Sequence, residues 1–332
     1  MPPTVAVAMG TYNGARFIAE QLASILRQDV LPDEIVLSDD GSTDDTVAIA
    51  RIALERAEAH GIGVTIISGP TRLGVTANFS RAIAACSSEI VVLSDQDDLW
   101  RPTRVADVTA AFSDHPDLVL QHADARLVTA AGEPLGATLF ESLGITAIDR
   151  RLINEGQAFG VYLRRNLATG ATVAFRRALF DVASPLPAEW VHDEWLAIIA
   201  AAVGRVEVSE NIVIDYRQHG SNEIGVAAPT LRYRLRRMLA TSPTRNAALA
   251  IRARVLIDRL GTLDGVPREF VTAASAKADF EEARAALPSR RLKRIRAIRR
   301  IDRQGARLGG NYAQFASQGR LDMLRDLVMA PR

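Results

Sequence analysis

Within the first 94 residues, short β-branched runs alternate with helical patterns, and no other feature restricts the possible folds so sharply. TVAVAM opens at Thr4, a helix is predicted from about Ala15 to Gln28, and EIVLS runs from Glu34 to Ser38. A second helix is predicted from about Thr43 to His60, followed by VTIIS from Val64 to Ser68. A third helical pattern, around Ala77 to Ala85, leads into EIVVLS, Glu89 to Ser94. Strands separated by helices at this spacing imply right-handed βαβ units, hence an α/β fold with a mostly parallel sheet flanked by helices. In such sheets ligands bind beyond the carboxyl ends of the strands.

Three of those ends are polar. Gly10, Thr11, Tyr12, Asn13 and Gly14 follow the first strand, Asp39, Asp40, Gly41 and Ser42 the second, and Asp95, Gln96, Asp97 and Asp98 the fourth. Each cluster has a plain structural reading. DDGSTDD suits a turn and a helix N-cap, and DQDD suits a solvated loop with a cap. Three on one rim argue for a site. Carboxylates crowded at a strand end repel one another and need solvent or a cation, and hard oxygen donors select Mg²⁺ or Mn²⁺. One or two protein carboxylates, completed by phosphate oxygens and water, are a usual Mg²⁺ site where the substrate is a nucleotide.

From about Gly136 the alternation loosens. Residues Asp193 to Val203 read as a helix, and Val206 to Val208 and Ile212 to Tyr216 as strands. After Pro229 the chain turns helical and Arg-rich, and RRLKRIRAIRRIDR (Arg290 to Arg303) carries Leu292, Ile295, Ile298 and Ile301 as one narrow apolar stripe among cations. The net charge of +1 conceals this asymmetry: from Val226 onward there are 23 Lys and Arg against 9 Asp and Glu, and upstream 17 against 30. Such a basic stripe fits an anionic membrane surface or a helical annex packed on the acidic part. Nucleic acid is disfavoured as a partner, because no aromatic platform or nucleic-acid module accompanies the arginines.

The longest apolar run, Trp195 to Val203, has nine residues, short of the roughly 20 that span a bilayer. No secretory signal pattern precedes the first strand. The single cysteine, Cys86, excludes an internal disulfide and a thiolate metal cluster, which suits a cytoplasmic setting. No G-x-G-x-x-G follows Met9, which argues against a dinucleotide oxidoreductase. A sugar-phosphate nucleotidyltransferase should carry a Gly- and Lys-rich loop near its first strand, and no lysine precedes Lys277. A non-catalytic glycan-binding or scaffold protein predicts missing carboxylates, and here they are present.

The segments VAVAMGTYNGARFIAEQLASILRQ, EIVLSDDGSTDDT, RLGVTANFSRAI, VVLSDQDDLWRP, TGATVAFRR, HDEWLA and YRQHGSNEIG, in this order over roughly Val5 to Gly225, resemble the family 2 glycosyltransferases of the GT-A fold, especially their rhamnosyltransferase-like branch. The resemblance implies a catalytic domain over residues 1–225, with a nucleotide and metal half (1–100) and an acceptor half (101–225), followed by a basic helical region (226–332). It implies an inverting, metal-dependent transfer from a nucleotide sugar, dTDP-rhamnose or a UDP-sugar, to a glycan or lipid-linked acceptor in cell-surface polysaccharide synthesis, with Mg²⁺ or Mn²⁺ as cofactor. Tyr12 would stack on the base with Thr11 and Asn13 beside it, and Asp40 would accept a hydrogen bond from the base with Asp39 or Asp44 nearby. Asp95 and Asp97 would form the D-x-D that contacts ribose and metal, Asp98 leaving the ligand ambiguous by one position, and His219 would lie near the diphosphate or metal. Asp193 would be the general base. Its competitor is Glu194, since neighbouring helical residues point about 100° apart. Thr169 and Gly170 would shape the floor of the acceptor pocket. Trp190 and Trp195 either stack on a sugar or pack, Trp195 being expected to pack.

Overall fold

The computed structural model describes residues 1–219, 245–308 and 311–328. By compactness the chain divides into two units, Met1–Gly156 with Leu167–Ala228 and Gln157–Asn166 with Pro229–Arg332. The expected boundary at 225 and the residues Gly220 to Gly225 of the last motif lie outside the described residues.

The first unit is built on a nine-stranded sheet. Strands β1 (Val5–Thr11), β2 (Glu34–Asp39), β3 (Gly63–Ser68) and β4 (Ile90–Ser94) are parallel in the order 3-2-1-4. β1, β2 and β4 are buried almost end to end, so they read as unbroken apolar runs. β3, at the sheet edge, is partly exposed along its length. Helices α1 (Ile18–Ile25), α2 (Thr46–Ala59) and α3 (Val75–Ala85) form the crossovers. α1 buries Ile18, Gln21, Leu22 and Ile25, one helical stripe. The expected helices start three residues too early at α1 and α2, because Ala15, Thr43 and their neighbours are used in loops that stitch the strand ends together.

The sheet changes character after β4. β5 (Leu99–Trp100) leads to α4 (Arg104–Asp114), then to the long strand β6 (Leu118–Thr129), the short β7 (Pro134–Thr138), β8 (Val173–Arg176), α5 (His192–Val203) and β9 (Arg205–Gln218). β8 runs antiparallel between β4 and β6, β9 is parallel to β6 but antiparallel to β5, and β7 pairs antiparallel with β6. The mostly parallel expectation therefore holds for the first four strands, and the whole sheet is mixed. Val206–Val208 and Ile212–Tyr216 are parts of the single strand β9, whose register against β6 shifts near Ser209 and Ile212.

This topology fixes the site's position. β1 is followed on one side by β2 and β3, and the chain then crosses back to place β4 on its other side, so a crevice opens between the carboxyl ends of β1 and β4. The β5–β9 pairing brings the end of β9 to the same place.

The second unit is helical: α6 (Arg245–Leu260), α7 (Arg268–Ala285), α8 (Arg291–Leu308) and α9 (Arg320–Val328), with shorter turns. Its interior is partly ionic. Lys277 and Arg284 share Glu281 at 2.7 and 2.8 Å, Arg284 also pairs with Asp326 at 2.7 Å, and Arg325 pairs with Asp322 at 2.8 Å. Of the apolar stripe expected on α8, Ile298 and Ile301 are buried while Leu292 is 76% exposed, so the stripe is largely turned inward. Among the described residues no helix is long and apolar enough to cross a membrane.

Candidate functional site

The loops after β1 and β2 are sewn to each other. Asn13 sits in the left-handed region (φ 47°), where its side chain accepts from the Thr43 N–H at 2.9 Å while its own N–H donates to Ser42 Oγ at 2.8 Å. Gly14 N–H donates to Thr46 Oγ1 at 2.7 Å, and Ala15 N–H to Asp44 at 3.2 Å. Asp39 is 2% exposed and accepts from Thr11 Oγ1 (2.9 Å), Ser42 Oγ (2.5 Å) and the Gly41 and Ser42 N–H groups. Thr11 and Asp39 thus brace the loop from inside. Asp40, also buried, accepts from the Leu73 and Gly74 N–H groups at 2.5 and 3.0 Å, tying the segment before α3 to the end of β2.

Tyr12 is half-buried at the rim, with the Arg72 guanidinium 4.0 Å above its ring centre. Its backbone is clamped by Gln96, whose Oε1 accepts from Tyr12 N–H at 2.9 Å while its Nε2 donates to Tyr12 O at 3.0 Å. Gly14 makes room for this clamp: a Cβ there would lie 2.1 Å from Gln96 Oε1.

At the end of β4 the three acids separate into different environments. Asp97 Oδ2 meets His219 Nε2 at 2.8 Å, and His219 stacks on Phe17 with ring centres 4.8 Å apart. Asp98 is 1% exposed and turned inward, its Oδ1 accepting the Arg217 N–H at 3.0 Å while Oδ2 has no hydrogen-bond partner among the described residues. Arg217 donates further to Asp97 O (2.9 Å) and to Glu20 (2.7 Å). Burial pushes the Asp97 carboxyl above its ordinary value, with His219 acting the other way. Burial, then the charges of Asp97 and Asp95, raise Asp98 well above it. Arg104, buried and bonded to Leu93 O and Ala171 O, is the cation behind them, drawn down to about 9 by burial while Asp98 and Asp95 oppose the fall.

A divalent ion fits this donor set. Among the described residues no three metal-capable side chains converge into a closed cage. Yet Asp95 and Asp97 offer hard oxygens at a half-buried rim, and burial holds both Asp97 and Asp98 above their ordinary values. An open site of one or two carboxylates plus substrate phosphates is how Mg²⁺ is ordinarily held.

On the other side, α5 begins with His192 and Asp193. Asp193 Oδ2 accepts the Gly170 N–H at 2.7 Å and Oδ1 the Glu194 N–H at 2.7 Å, which orients a largely buried carboxylate at a helix N-terminus. His192 stacks on Phe79 at 4.1 Å, and burial lowers its basicity, so it stays neutral. A Cβ at Gly170 would press on this pair, 3.1 Å from His192 Nε2 and in ordinary contact with Asp193 Oδ2 at 3.5 Å. Thr169 and Glu194 are half-buried beside this pair. Trp195 donates from Nε1 to Ala183 O at 2.8 Å and is core, as expected, and Trp190, 8% exposed, tilts against it at 5.4 Å.

Tyr216 links the two sides. Burial raises its phenol well above the ordinary value, and Asp95, Asp98, Asp97 and Asp193 all add to the rise, so all four acids lie within electrostatic reach of this one side chain. The sequence alone assigned no role to Gln96, Arg104, Tyr216 or Arg217. Gln96, Tyr216 and Arg217 each lie inside a motif, whereas Arg104 is one arginine on an ordinary amphipathic helix.

The family model described as glycosyl transferase family 2 matches residues 6–181, more than half of the chain. The dTDP-rhamnosyl transferase RfbG of Shigella flexneri is 35% identical over 101 residues, 29% of this chain and 34% of that protein. The chain spans 34 to 66% of the length of the curated relatives it matches first. Among solved structures, TarS residues 1–349 of S. aureus in complex with UDP-GlcNAc superposes with a TM-score of 0.59 at 17% identity, covering 98% of this chain and 88% of that one. The mannosyltransferase PcManGT of Pyrobaculum calidifontis, in complex with GDP-Man and Mn²⁺, superposes with a TM-score of 0.52 at 21% identity, covering 92% and 76%. At these identities the structures speak to the fold.

Proposed function

The chain belongs to glycosyl transferase family 2 and has the GT-A fold, and on that premise we propose that it transfers a sugar from a nucleotide-sugar donor to a hydroxyl of a glycan or lipid-linked acceptor, with inversion, in cell-surface polysaccharide synthesis. The observation that carries this reading is Asp193, an oriented carboxylate held on the Gly170 N–H and, like Asp95 and Asp97, within electrostatic reach of Tyr216. Asp193 takes the proton of the acceptor hydroxyl as its oxygen attacks the anomeric carbon, and the nucleoside diphosphate leaves from the opposite face. Its two backbone hydrogen bonds keep the carboxylate aimed. Glu194 shares the acceptor side with Thr169, Gly170 and Trp190.

Tyr12 supplies the face for the base, with Asn13 and the braced Thr11, Asp39 and Asp40 shaping its surroundings. Asp95 reaches the ribose. Asp97 and His219 would hold Mg²⁺ or Mn²⁺, which when bound supplies positive charge for the leaving diphosphate. Asp97 is favoured over Asp98 because Asp98 is spent on the Arg217 backbone and sealed from solvent. The donor is a dTDP- or UDP-sugar, a choice supported by the rhamnosyl transferase relative and the UDP-GlcNAc complex of the structural neighbour. Manganese in the mannosyltransferase supports the metal. The enzyme would act at the cytoplasmic face of a membrane, where lipid-linked acceptors lie.

Thermal unfolding with nucleoside diphosphates, with and without Mn²⁺, tests donor and metal together, because a ligand of the native state raises apparent stability by mass action. Stabilisation by UDP or dTDP that requires Mn²⁺ and is lost in Asp97→Ala is the expected result. Equal stabilisation without metal, or none by any nucleotide, refutes it.

A further inference from the structure

The sequence alone places the membrane-facing character of α8 in its isoleucine stripe. The structure turns Ile298 and Ile301 inward and buries Arg294, whose guanidinium donates to Ser289 O at 2.8 Å and Leu327 O at 3.1 Å. What remains outward is the opposite side. Lys293, Arg296, Arg299, Arg300 and Arg303 are all exposed. At 100° per residue they fall within an arc of about 120°, centred nearly opposite the buried positions. Leu292, 76% exposed, lies inside the same arc. None of the five cations has a carboxylate partner among the described residues, and the one acid in this stretch of helix, Asp302, lies outside the arc.

We propose that this outward face of α8 is a docking surface for an anionic lipid bilayer, with the five cations against the headgroup phosphates and Leu292 dipping into the interface. The physical case is charge complementarity along a rigid rod. The eleven residues from Lys293 to Arg303 carry the five cations over about 15 Å, long enough to meet several headgroups at once. Five exposed cations on one arc with no carboxylate partner among the described residues leave a concentrated positive field that attracts an external polyanion. Arginine suits phosphate oxygens through its planar fork, and its apolar stem lets the head sit at the interface. The leucine decides between polyanions. Nucleic acid offers it no apolar phase, and a single-stranded target would call for aromatic stacking, which this arc does not contain. The surface belongs to the second unit alone, and its test is independent of the transfer reaction.

The experiment is co-sedimentation of the full chain with phosphatidylcholine vesicles, with and without phosphatidylglycerol, at low and high salt. Binding is expected only to the anionic vesicles and falls as salt rises. Arg296→Gln/Arg299→Gln/Arg303→Gln should weaken it about a hundredfold, from about fivefold per basic residue. Leu292→Ser should weaken it by a smaller factor at every salt concentration. Circular dichroism of both variants and metal-dependent nucleoside diphosphate binding should match the wild type, which separates loss of the surface from loss of the fold or of the proposed site. Equal binding to neutral vesicles, unchanged binding by the triple variant, or retention of a double-stranded oligonucleotide with no vesicle binding overturns the assignment.

Discussion

Gly14→Ala is expected to act through a residue 82 positions away. Nothing about the Gly14 backbone requires glycine, since it is not among the residues with positive φ. The obstacle is Gln96: an alanine Cβ would stand 2.1 Å from its Oε1 and 2.4 Å from its Cδ, well inside contact distance. The carboxamide must leave, and both hydrogen bonds to Tyr12 go with it. Two neutral hydrogen bonds at about 1 kcal/mol each give a loss of about 2 kcal/mol. Gln96→Ala removes the same two bonds and should cost about the same, but in its background Gly14→Ala meets no carboxamide. The double variant should therefore cost about 2 kcal/mol rather than about 4, a coupling of about 2 kcal/mol. Urea unfolding of the four proteins measures it, and nucleoside diphosphate affinity should fall in the same non-additive pattern because Tyr12 is displaced. Additive losses, or a Gly14→Ala protein as stable as the wild type, would refute the clamp.

Asp193→Asn keeps an oxygen for the Gly170 N–H but removes the base. Transfer should fall by about 10²–10⁴-fold with donor affinity unchanged, measured by sugar transfer and by calorimetry; parallel loss of both would assign Asp193 to folding or donor binding instead. His122, buried in β6, is lowered to about 3 by burial. Its unfolded value is about 6.5, so the unfolded chain binds the proton first, and stability present above pH 6.5 is lost as pH falls towards 3. Between pH 6.5 and 5 the loss is about 2 kcal/mol, and His122→Leu should flatten that part of the stability curve; superimposable pH dependences would show that His122 is not its source.

The sequence by itself determined the βαβ half and the rim on which the chemistry gathers. Strands buried on both faces must be continuous apolar runs, and crossover helices must keep a 3.6-residue stripe, so β1, β2 and β4 and their polar ends at Tyr12, Asp40 and Asp95 to Asp98 are written in local periodicity. The seven ordered motifs likewise name Asp193 and His219. Tertiary structure alone decided how these residues divide the work. Asp97 and Asp98 are neighbours with one chemistry, and what separates them is the antiparallel pairing of β5 with β9, which delivers the Arg217 N–H to Asp98 across 119 residues and His219 to Asp97. The clamp of Gln96 on Tyr12 and the direction in which α8 turns its isoleucines are of the same kind. Periodicity records which face of an element is apolar. Which neighbour meets that face, and which buried carboxylate finds a donor, depends on contacts between segments far apart in the chain.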